Sequence, residues 1–294
     1  MRLWFELLRS QPGALFWGER QLTHIEKASR LLVVAAVAAL ALFAMPASAI
    51  TDGTLDGNVH PAVVLILMEV DGVPAFRCSG TLIAPTYVLT AGHCAGAPGE
   101  FSGMRVFTES DVENGTNSYP YAGANSVEAV RWAAHPLYPT APFFVHDVGM
   151  IKLAQAVVLD SSEYGTLPPV NSLDALKTKR GLAKQTFTSV GYGLQQINPV
   201  FIQKAKIRMV AHPRLIQING GIVGGFSLLL SNNTSTGGTC FGDSGGPNFL
   251  GGDASRVVAA VTSFGLNGNC AGTGGVFRMD RQDVQDFVNT FKAE

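Results

Sequence analysis

A serine in the last fifth of the chain lies in a sequence suited to nucleophilic chemistry. The segment reads Gly242-Asp243-Ser244-Gly245-Gly246-Pro247. Glycines on both sides let the backbone turn sharply, so the serine hydroxyl projects and neighbouring N–H groups can converge on a developing oxyanion. The segment therefore predicts a serine nucleophile for acyl transfer, with a turn of no catalytic meaning as the alternative.

The order of residues along the chain restricts which serine chemistry is open. The segment also satisfies Gly-x-Ser-x-Gly, the nucleophile elbow of α/β-hydrolases, in which the histidine follows the serine. No histidine follows Ser244, so that interpretation fails. A subtilisin order, with Asp52, Asp56 or Asp71 first, would need an alternating β/α pattern that the sequence lacks.

A general base must come from the histidines, and His93 has the best context. It lies in Leu89-Thr90-Ala91-Gly92-His93-Cys94, at the end of a predicted strand. His146 directly precedes Asp147, and adjacent strand residues point to opposite faces, so these two are not expected to act as one relay. The remaining histidines are a leader residue and three that precede proline and are expected in ordinary loops: His24, His60, His135 and His212.

Short strands must position these side chains. Nine apolar or β-branched runs, separated by Gly, Pro, Asn and Asp, predict strands at 62–68, 77–84, 87–90, 104–108, 129–133, 148–153, 187–191, 204–210 and 257–264. A helix is predicted at the end, where Val284, Phe287, Val288 and Phe291 recur at helical spacing behind Asp280, expected as its cap. A polar connection over 159–179 divides the strands into two β units. The fold class is all-β.

Composition excludes two classes of protein. The 294 residues are 47% hydrophobic and 15% charged, with a formal net charge of -1. A disordered chain would be less apolar, and a nucleic-acid binder would carry a basic excess. We expect a globular protein that binds no nucleic acid.

The first 49 residues are typical of a leader with a secretory signal. Residues 31–45 form an apolar run, preceded by Lys27 and Arg30 and followed by Ala47-Ser48-Ala49, the small residues that a signal peptidase requires. Fifteen apolar residues are short for a membrane-spanning helix. Cleavage would expose Ile50 and release a secreted, extracellular protein.

Four cysteines, Cys78, Cys94, Cys240 and Cys270, all follow the leader. An even number in an exported chain indicates disulfides, and three pairings are open. The close Cys-x-x-Cys spacing typical of a zinc site is missing, so no metal is expected there.

The sequence resembles the chymotrypsin-like (trypsin-like) serine proteases. Three motifs in that family's order carry the resemblance: Thr90-Ala91-Gly92-His93-Cys94, His146-Asp147-Val148-Gly149-Met150-Ile151-Lys152-Leu153 and Cys240-Phe241-Gly242-Asp243-Ser244-Gly245-Gly246-Pro247. The resemblance implies two antiparallel six-stranded β-barrels with a short C-terminal α-helix. The expected domains are 50–167 and 168–294, and the implied disulfides are Cys78–Cys94 and Cys240–Cys270.

The same resemblance implies a role for each site residue. Ser244 is the nucleophile, His93 the general base and then acid, and Asp147 the carboxylate that fixes the histidine tautomer. The N–H groups of Gly242 and Ser244 form the oxyanion hole. Ser263 hydrogen-bonds Asp147, and residues 263–265 align the substrate backbone as an added strand.

The primary pocket departs from the trypsin branch of the family. That branch has a carboxylate six residues before the nucleophile, where this chain has Gly238, so an apolar residue is expected before the scissile bond. The other substrate-binding residues are expected to be Thr239, Phe241, Ser263, Phe264, Gly265 and Gly275. No calcium loop is recognisable, and the acids in that region are expected to be solvated: Glu100, Glu109, Asp111 and Glu113.

The sequence thus predicts a secreted serine endopeptidase that needs no cofactor. Its partners would be peptide or protein substrates and protein protease inhibitors, and it would act as a monomer. A catalytically silent binding protein on the same fold is the alternative, and esterase activity is also open. Activation is expected to follow cleavage before Ile50, whose freed amine would pair with Asp243.

Overall fold

The computed structural model describes residues 50–139, 142, 144–177, 184–198 and 201–294, so the predicted leader lies outside the described residues. The strands are Thr54–Leu55 (β1), Val63–Val70 (β2), Val73–Ala84 (β3), Tyr87–Thr90 (β4), Gly103–Phe107 (β5), Ser126–Ala134 (β6), Gly149–Leu153 (β7), Phe187–Gly191 (β8), Gln196–Asn198 (β9), Phe201–Gln203 (β10), Met209–Ala211 (β11), Leu215–Ile218 (β12), Ser227–Asn232 (β13), Pro247–Leu250 (β14), Val258–Gly265 (β15) and Gly272–Arg278 (β16). The α-helices are Gly92–Ala95 (α1) and Gln282–Ala293 (α2), and 3-10 turns lie at Ser172–Leu176 and Gly221–Val223.

The first β unit is a closed antiparallel barrel with the strand order β2-β3-β4-β7-β6-β5. Strand β2 shows why its sequence is apolar without interruption. Val64, Ile66 and Met68 pack in one core cluster, whereas Val63, Leu65 and Leu67 pack in a second one. Because successive side chains point to opposite faces, this strand is buried on both sides.

The second β unit is an eight-stranded sheet with the order β1-β11-β8-β14-β15-β16-β13-β12. The sheet is curled, with β1 and β12 at its edges, and serves as the second β unit. The predicted all-β architecture of two antiparallel β units is therefore confirmed. Strand β1 comes from the start of the described chain, and Thr54 pairs with Val210 of β11. The N-terminal segment is therefore part of the second sheet.

The predicted C-terminal helix is present, but its predicted cap is wrong. Val284, Val288 and Phe291 are buried as the stripe requires. The residue before the helix is Arg281, and no side chain caps the first turn. The Asp280 carboxylate instead accepts hydrogen bonds of 2.8 and 2.7 Å from the Arg278 guanidinium and one of 2.8 Å from the N–H of Leu173. The Asp280 side chain is therefore engaged in a buried ion pair with Arg278 and does not cap the helix.

Both implied disulfides, Cys78–Cys94 and Cys240–Cys270, are formed. Each closes a short loop, and such a link stabilises a fold mainly by restricting the unfolded chain. Within the part of the chain that the structure describes, no helix has the length and apolar character needed to cross a membrane.

Candidate active site

His93 is positioned by the chain that leaves the first barrel. Strand β4 ends at Thr90, and α1 holds the histidine while the adjacent Cys94 is tied to Cys78 on β3. The backbone N–H of His93 donates a 2.9 Å hydrogen bond to Oδ1 of Asp147, and its Nδ1 lies 3.0 Å from Oδ2. Ring and backbone are therefore both fixed by one carboxylate.

Asp147 is buried just before strand β7, with 2% of the residue exposed. Besides the His93 bonds, it accepts a short hydrogen bond from the hydroxyl of Ser263 on β15. The register between β15 and β16 shifts at Ser263. Asp147 thus joins the barrel to the second sheet at the candidate site.

The electrostatics of this pair favour a charged imidazole. Burial lowers the pKa of His93, but the charge of Asp147 and its hydrogen bond outweigh burial, so the net pKa is raised above its ordinary value. A nearby carboxylate that stabilises imidazolium is what a general base needs while it holds an abstracted proton.

The backbone around Ser244 leaves two N–H groups unused. The N–H groups of Asp243, Gly245 and Gly246 donate to Cys240, Thr262 and Asp243 carbonyls at 3.0, 2.8 and 2.8 Å. Among the hydrogen bonds of the described residues, those of Gly242 and Ser244 find no acceptor. Two unpaired N–H donors on neighbouring turns of one loop can bind an oxyanion.

Glycine is required at two positions of this loop. Gly242 has φ +99° and Gly245 has φ +75°, a region of backbone space that side chains with a Cβ rarely adopt. A Cβ at Gly245 would also lie 2.0 Å from the hydroxyl oxygen of Thr90. The described residues contain no hydrogen bond between Ser244 and His93.

Asp243, expected to receive the freed amine, is fully buried. Its carboxylate accepts hydrogen bonds from the N–H groups of Gly193 and Cys240 at 2.7 and 2.8 Å. Burial raises the pKa of Asp243 to about 7, against the effect of these bonds and of the Arg77 charge. No ion pair of the described residues includes it.

Ile50 is also fully buried and packs with Met209 and Ala211 of β11. Met209 pairs with Gly191 of β8, and a Cβ at Gly191 would lie 2.3 Å from Oδ1 of Asp243. One pair of adjacent strands therefore contacts both members of the proposed activation pair.

The expected pocket residues surround a crowded space. A Cβ at Gly238 would lie 2.3 Å from Cγ of Asn232, whose side chain is buried and donates to the carbonyl of Thr239 at 2.8 Å. The ring of Phe264 lies over Gly275, where a Cβ would come within 2.2 Å of it.

The remaining expected contacts lie around this space. The rings of Phe264 and Phe144 lie 5.3 Å apart, and Phe241 is 56% exposed. Gly265 is exposed and pairs with Gly274. Small, uncharged groups and aromatic rings thus line the region that the sequence assigns to the substrate.

Glu109, one of the acids considered for a calcium loop, is hydrogen-bonded within its own loop. Glu109 accepts hydrogen bonds from the N–H and hydroxyl of Thr116 at 2.8 and 3.0 Å and from Asn125 at 3.0 Å. The Glu109 carboxylate is thus held by donors from its own loop, whereas Glu113 pairs with Lys206 at 2.6 Å.

A second group of metal-ligating types, His135, His146 and Asp283, places its donor atoms within 4.8 Å of one another. Nδ1 of His135 already accepts a 3.2 Å hydrogen bond from Leu137. The rings of His135 and His146 stack 4.8 Å apart beside Asp147. His135 is buried, contrary to the expectation of an ordinary loop histidine.

Sequence reasoning missed Ser79, which contacts the candidate nucleophile loop. It also missed the buried role of His60, another histidine expected in a loop, which pairs with Asp56. Asp56 in turn binds Nε of the fully buried Arg208 at 3.0 Å. The sequence signal for Ser79 was only its polarity within an apolar run, and Asp56 and His60 lie in a turn-like segment that gave no signal of burial.

Comparison with known proteins agrees with this geometry. The trypsin family model matches residues 56–288. The chain is 27% identical to proproteinase E of Bos taurus over 206 residues, which cover 68% of this chain and 77% of that protein. It is 28% identical to chymotrypsin-like elastase family member 3A of Homo sapiens over 212 residues, with coverage of 69% and 73%.

In two further comparisons, the match covers only a small part of the relative or has low sequence identity. Serine protease Hayan of Drosophila melanogaster is 26% identical over 162 residues, 54% of this chain but 23% of that protein. The solved structure of HL collagenase has a TM-score of 0.64 and 20% identity, and the match covers 83% of this chain and 99% of that one. The collagenase comparison shows the fold alone.

The fold and the family match define a chymotrypsin-like serine protease. The chain belongs to the trypsin family.

Proposed function

We propose that this chain is a secreted serine endopeptidase that cleaves peptide bonds through an acyl-enzyme. The observation that carries the proposal is the buried carboxylate of Asp147, which binds both the backbone and the ring of His93. That arrangement supplies an oriented base beside a loop whose Gly242 and Ser244 N–H groups have no acceptor among the described residues.

In the proposed reaction, Oγ of Ser244 attacks the scissile carbonyl carbon while Nε2 of His93 accepts the hydroxyl proton. The carbonyl oxygen becomes an oxyanion that accepts hydrogen bonds from Gly242 and Ser244. His93 then gives its proton to the leaving amine, and the C–N bond breaks. Water repeats the sequence on the acyl-enzyme and restores free Ser244.

We place an apolar residue before the scissile bond. Gly238 and Thr239 offer no charge to a bound Arg or Lys side chain, and burial of an unpaired cation is costly. The neighbouring Asn232 amide is engaged with Thr51 and Thr239. Peptide or protein substrates fit this site, and protein inhibitors that present a similar segment would bind it as well.

Secretion and activation are proposed to be one event. Cleavage between Ala49 and Ile50 would remove the leader and free the Ile50 amine. Asp243 is the proposed partner of this amine, because its buried carboxylate has no cation bound to it in the described chain. Pairing would order the loop that carries Gly242 and Ser244.

A fluorophosphonate probe tests the proposal directly. The chain that begins at Ile50 is expected to be labelled on Ser244 and to cleave a peptide library. Ser244→Ala should lose the label, whereas Ser235→Ala, which removes an exposed serine, should retain it. An unlabelled and inactive wild-type chain would support a silent binding protein instead.

A further inference from the structure

Ser79 lies where the first barrel meets the nucleophile loop. It belongs to β3, follows the disulfide-bonded Cys78, and is fully buried. A buried hydroxyl in an apolar strand costs free energy unless it is hydrogen-bonded. Its partners therefore indicate why the position is polar.

The hydroxyl of Ser79 forms two hydrogen bonds across the sheet junction. It donates to the carbonyl oxygen of Gly242 at 2.9 Å and accepts from the N–H of Tyr192 at 3.0 Å. Among the hydrogen bonds of the described residues, neither of these two backbone groups has another partner. The hydroxyl thus links the nucleophile loop to the end of β8.

The backbone of Ser79 holds the same loop at a second point. Its N–H donates to the carbonyl oxygen of Ser244 at 2.8 Å, and its own carbonyl accepts from the hydroxyl of Thr90 at 2.9 Å. Thr90 ends the strand that leads to His93. One residue therefore contacts the loop of the nucleophile and the strand of the base.

These contacts alternate with the two free N–H donors along the chain. Ser79 binds the peptide units that follow Gly242 and Ser244. The N–H of Ser244 belongs to the peptide unit between them, and the N–H of Gly242 belongs to the unit just before. Because Ser79 holds the peptide units on both sides of the Ser244 N–H, the planar unit between them can turn only by coupled changes at Asp243 and Ser244, which restricts the direction of that N–H. The unit that carries the Gly242 N–H adjoins the first of these held units.

We infer that Ser79 is a positioning residue for the oxyanion hole, its hydroxyl holding the loop so that the Gly242 and Ser244 N–H groups converge. The inference rests on the proposed function. Because the oxyanion develops in the transition state, a displaced donor lowers kcat and leaves substrate binding nearly unchanged.

Steady-state kinetics of Ser79→Ala test this role, with Thr81→Val as the matched control. Thr81 is a second fully buried hydroxyl residue of β3, and its hydroxyl has no hydrogen-bond partner. Removing a donor itself costs roughly 10²–10³-fold in kcat, so loss of its support is expected to cost about 10- to 100-fold. KM should stay within about threefold, and the rate of Ser244 phosphonylation should fall in parallel with kcat.

Three results would overturn the inference. In the first, the wild type is active and Ser79→Ala has the same kcat as the wild type. Another is an equal loss in Thr81→Val, which would indicate a general effect of strand packing. The third is an inactive wild type, which removes the proposed function as well and is distinguished by the missing label on Ser244. If Ser79→Ala does not fold, Ser79→Gly gives the same comparison with the backbone contacts retained.

Discussion

Oδ1 of Asp147 accepts a 2.9 Å hydrogen bond from the backbone N–H of His93, and Oδ2 lies 3.0 Å from Nδ1 of the same residue. A carboxylate that binds ring and backbone together fixes the orientation of the imidazole more strictly than a contact to the ring alone. It also requires an N–H on Nδ1, which leaves Nε2 as the basic nitrogen of the neutral ring.

Asp147→Asn should lower kcat by about 10⁴-fold with a nearly unchanged fold, because an amide can stabilise the wrong tautomer of His93 and cannot balance the imidazolium charge. Peptidase assays and circular dichroism measure both effects. Asp160→Asn, at an exposed position, is the control and should retain activity. A mild loss in Asp147→Asn would contradict the assigned role.

Ser244→Ala and His93→Ala should each reduce kcat by several orders of magnitude. The double variant should be about as active as either single variant, because the two residues act as a unit. Turnover measured on one peptide for all three proteins tests this. Additive losses would show that the residues act independently.

Activity should depend on pH through the raised pKa of His93. The base must be neutral, so kcat should rise with pH along a limb centred above 6.5, the ordinary value for histidine. The stabilising effect of the charged His93–Asp147 pair is fully present below the unfolded pKa and is lost as pH rises through the folded pKa. A pH–kcat profile and unfolding titrations check the two trends, and an activity limb below 6.5 would oppose them.

The pairing of Ile50 with Asp243 should be visible in the pH dependence of stability. With its pKa raised to about 7, an unpaired Asp243 favours folding most below pH 3.8 and this contribution declines as pH rises through 7. In a chain that begins at Ile50, the ammonium group should keep Asp243 charged and remove the decline.

The Tm of two Ser244→Ala proteins, one beginning at Ile50 and one retaining Ala49, tests this between pH 4 and 8. Activity is compared in the same two proteins with Ser244 restored. If the protein with Ala49 is equally active, the activation mechanism is wrong.

Gly238→Asp should not introduce cleavage after Arg or Lys. A Cβ at this position meets Asn232 at 2.3 Å, so the new side chain would displace the buried amide before it could bind a substrate cation. Library profiling should show apolar preference in the wild type and low activity in the variant. Gly268→Asp, where no atom lies within 4 Å of an added Cβ, is the control.

The sequence predicted the strands whose own residues form an apolar or β-branched run, and missed those whose strand structure depends on their neighbours in the sheet. The strands at 87–90 and 187–191 have the predicted bounds, since apolar side chains and turn residues mark both ends. Strand β16 was missed because Gly272, Gly274 and Gly275 give it no strand-like composition. Its pairing with β13 and β15 supplies what its own residues lack.

The candidate site likewise contains residues that a local motif reveals and residues whose role depends on contacts between distant parts of the chain. The motifs around His93, Asp147 and Ser244 are contiguous and can be recognised in sequence. Ser79 contacts Gly242 from 163 residues away, so no local pattern could predict its bonds. Asp280 was predicted to cap the helix because the apolar spacing of the helix does not reveal that the Arg278 side chain binds it in the folded protein.

Strand β1 has a consequence for any attempt to divide the chain. A fragment of residues 50–167 would carry Thr54 and Leu55 away from the sheet that they complete, and leave Ile50 without Met209 and Ala211. The complementary fragment would expose the edge of β11, whose unpaired N–H and C=O groups are a template for another strand. Expressed separately, each fragment should self-associate or aggregate. Refolded together, the two fragments should bind one another and restore the pairing of β1 with β11.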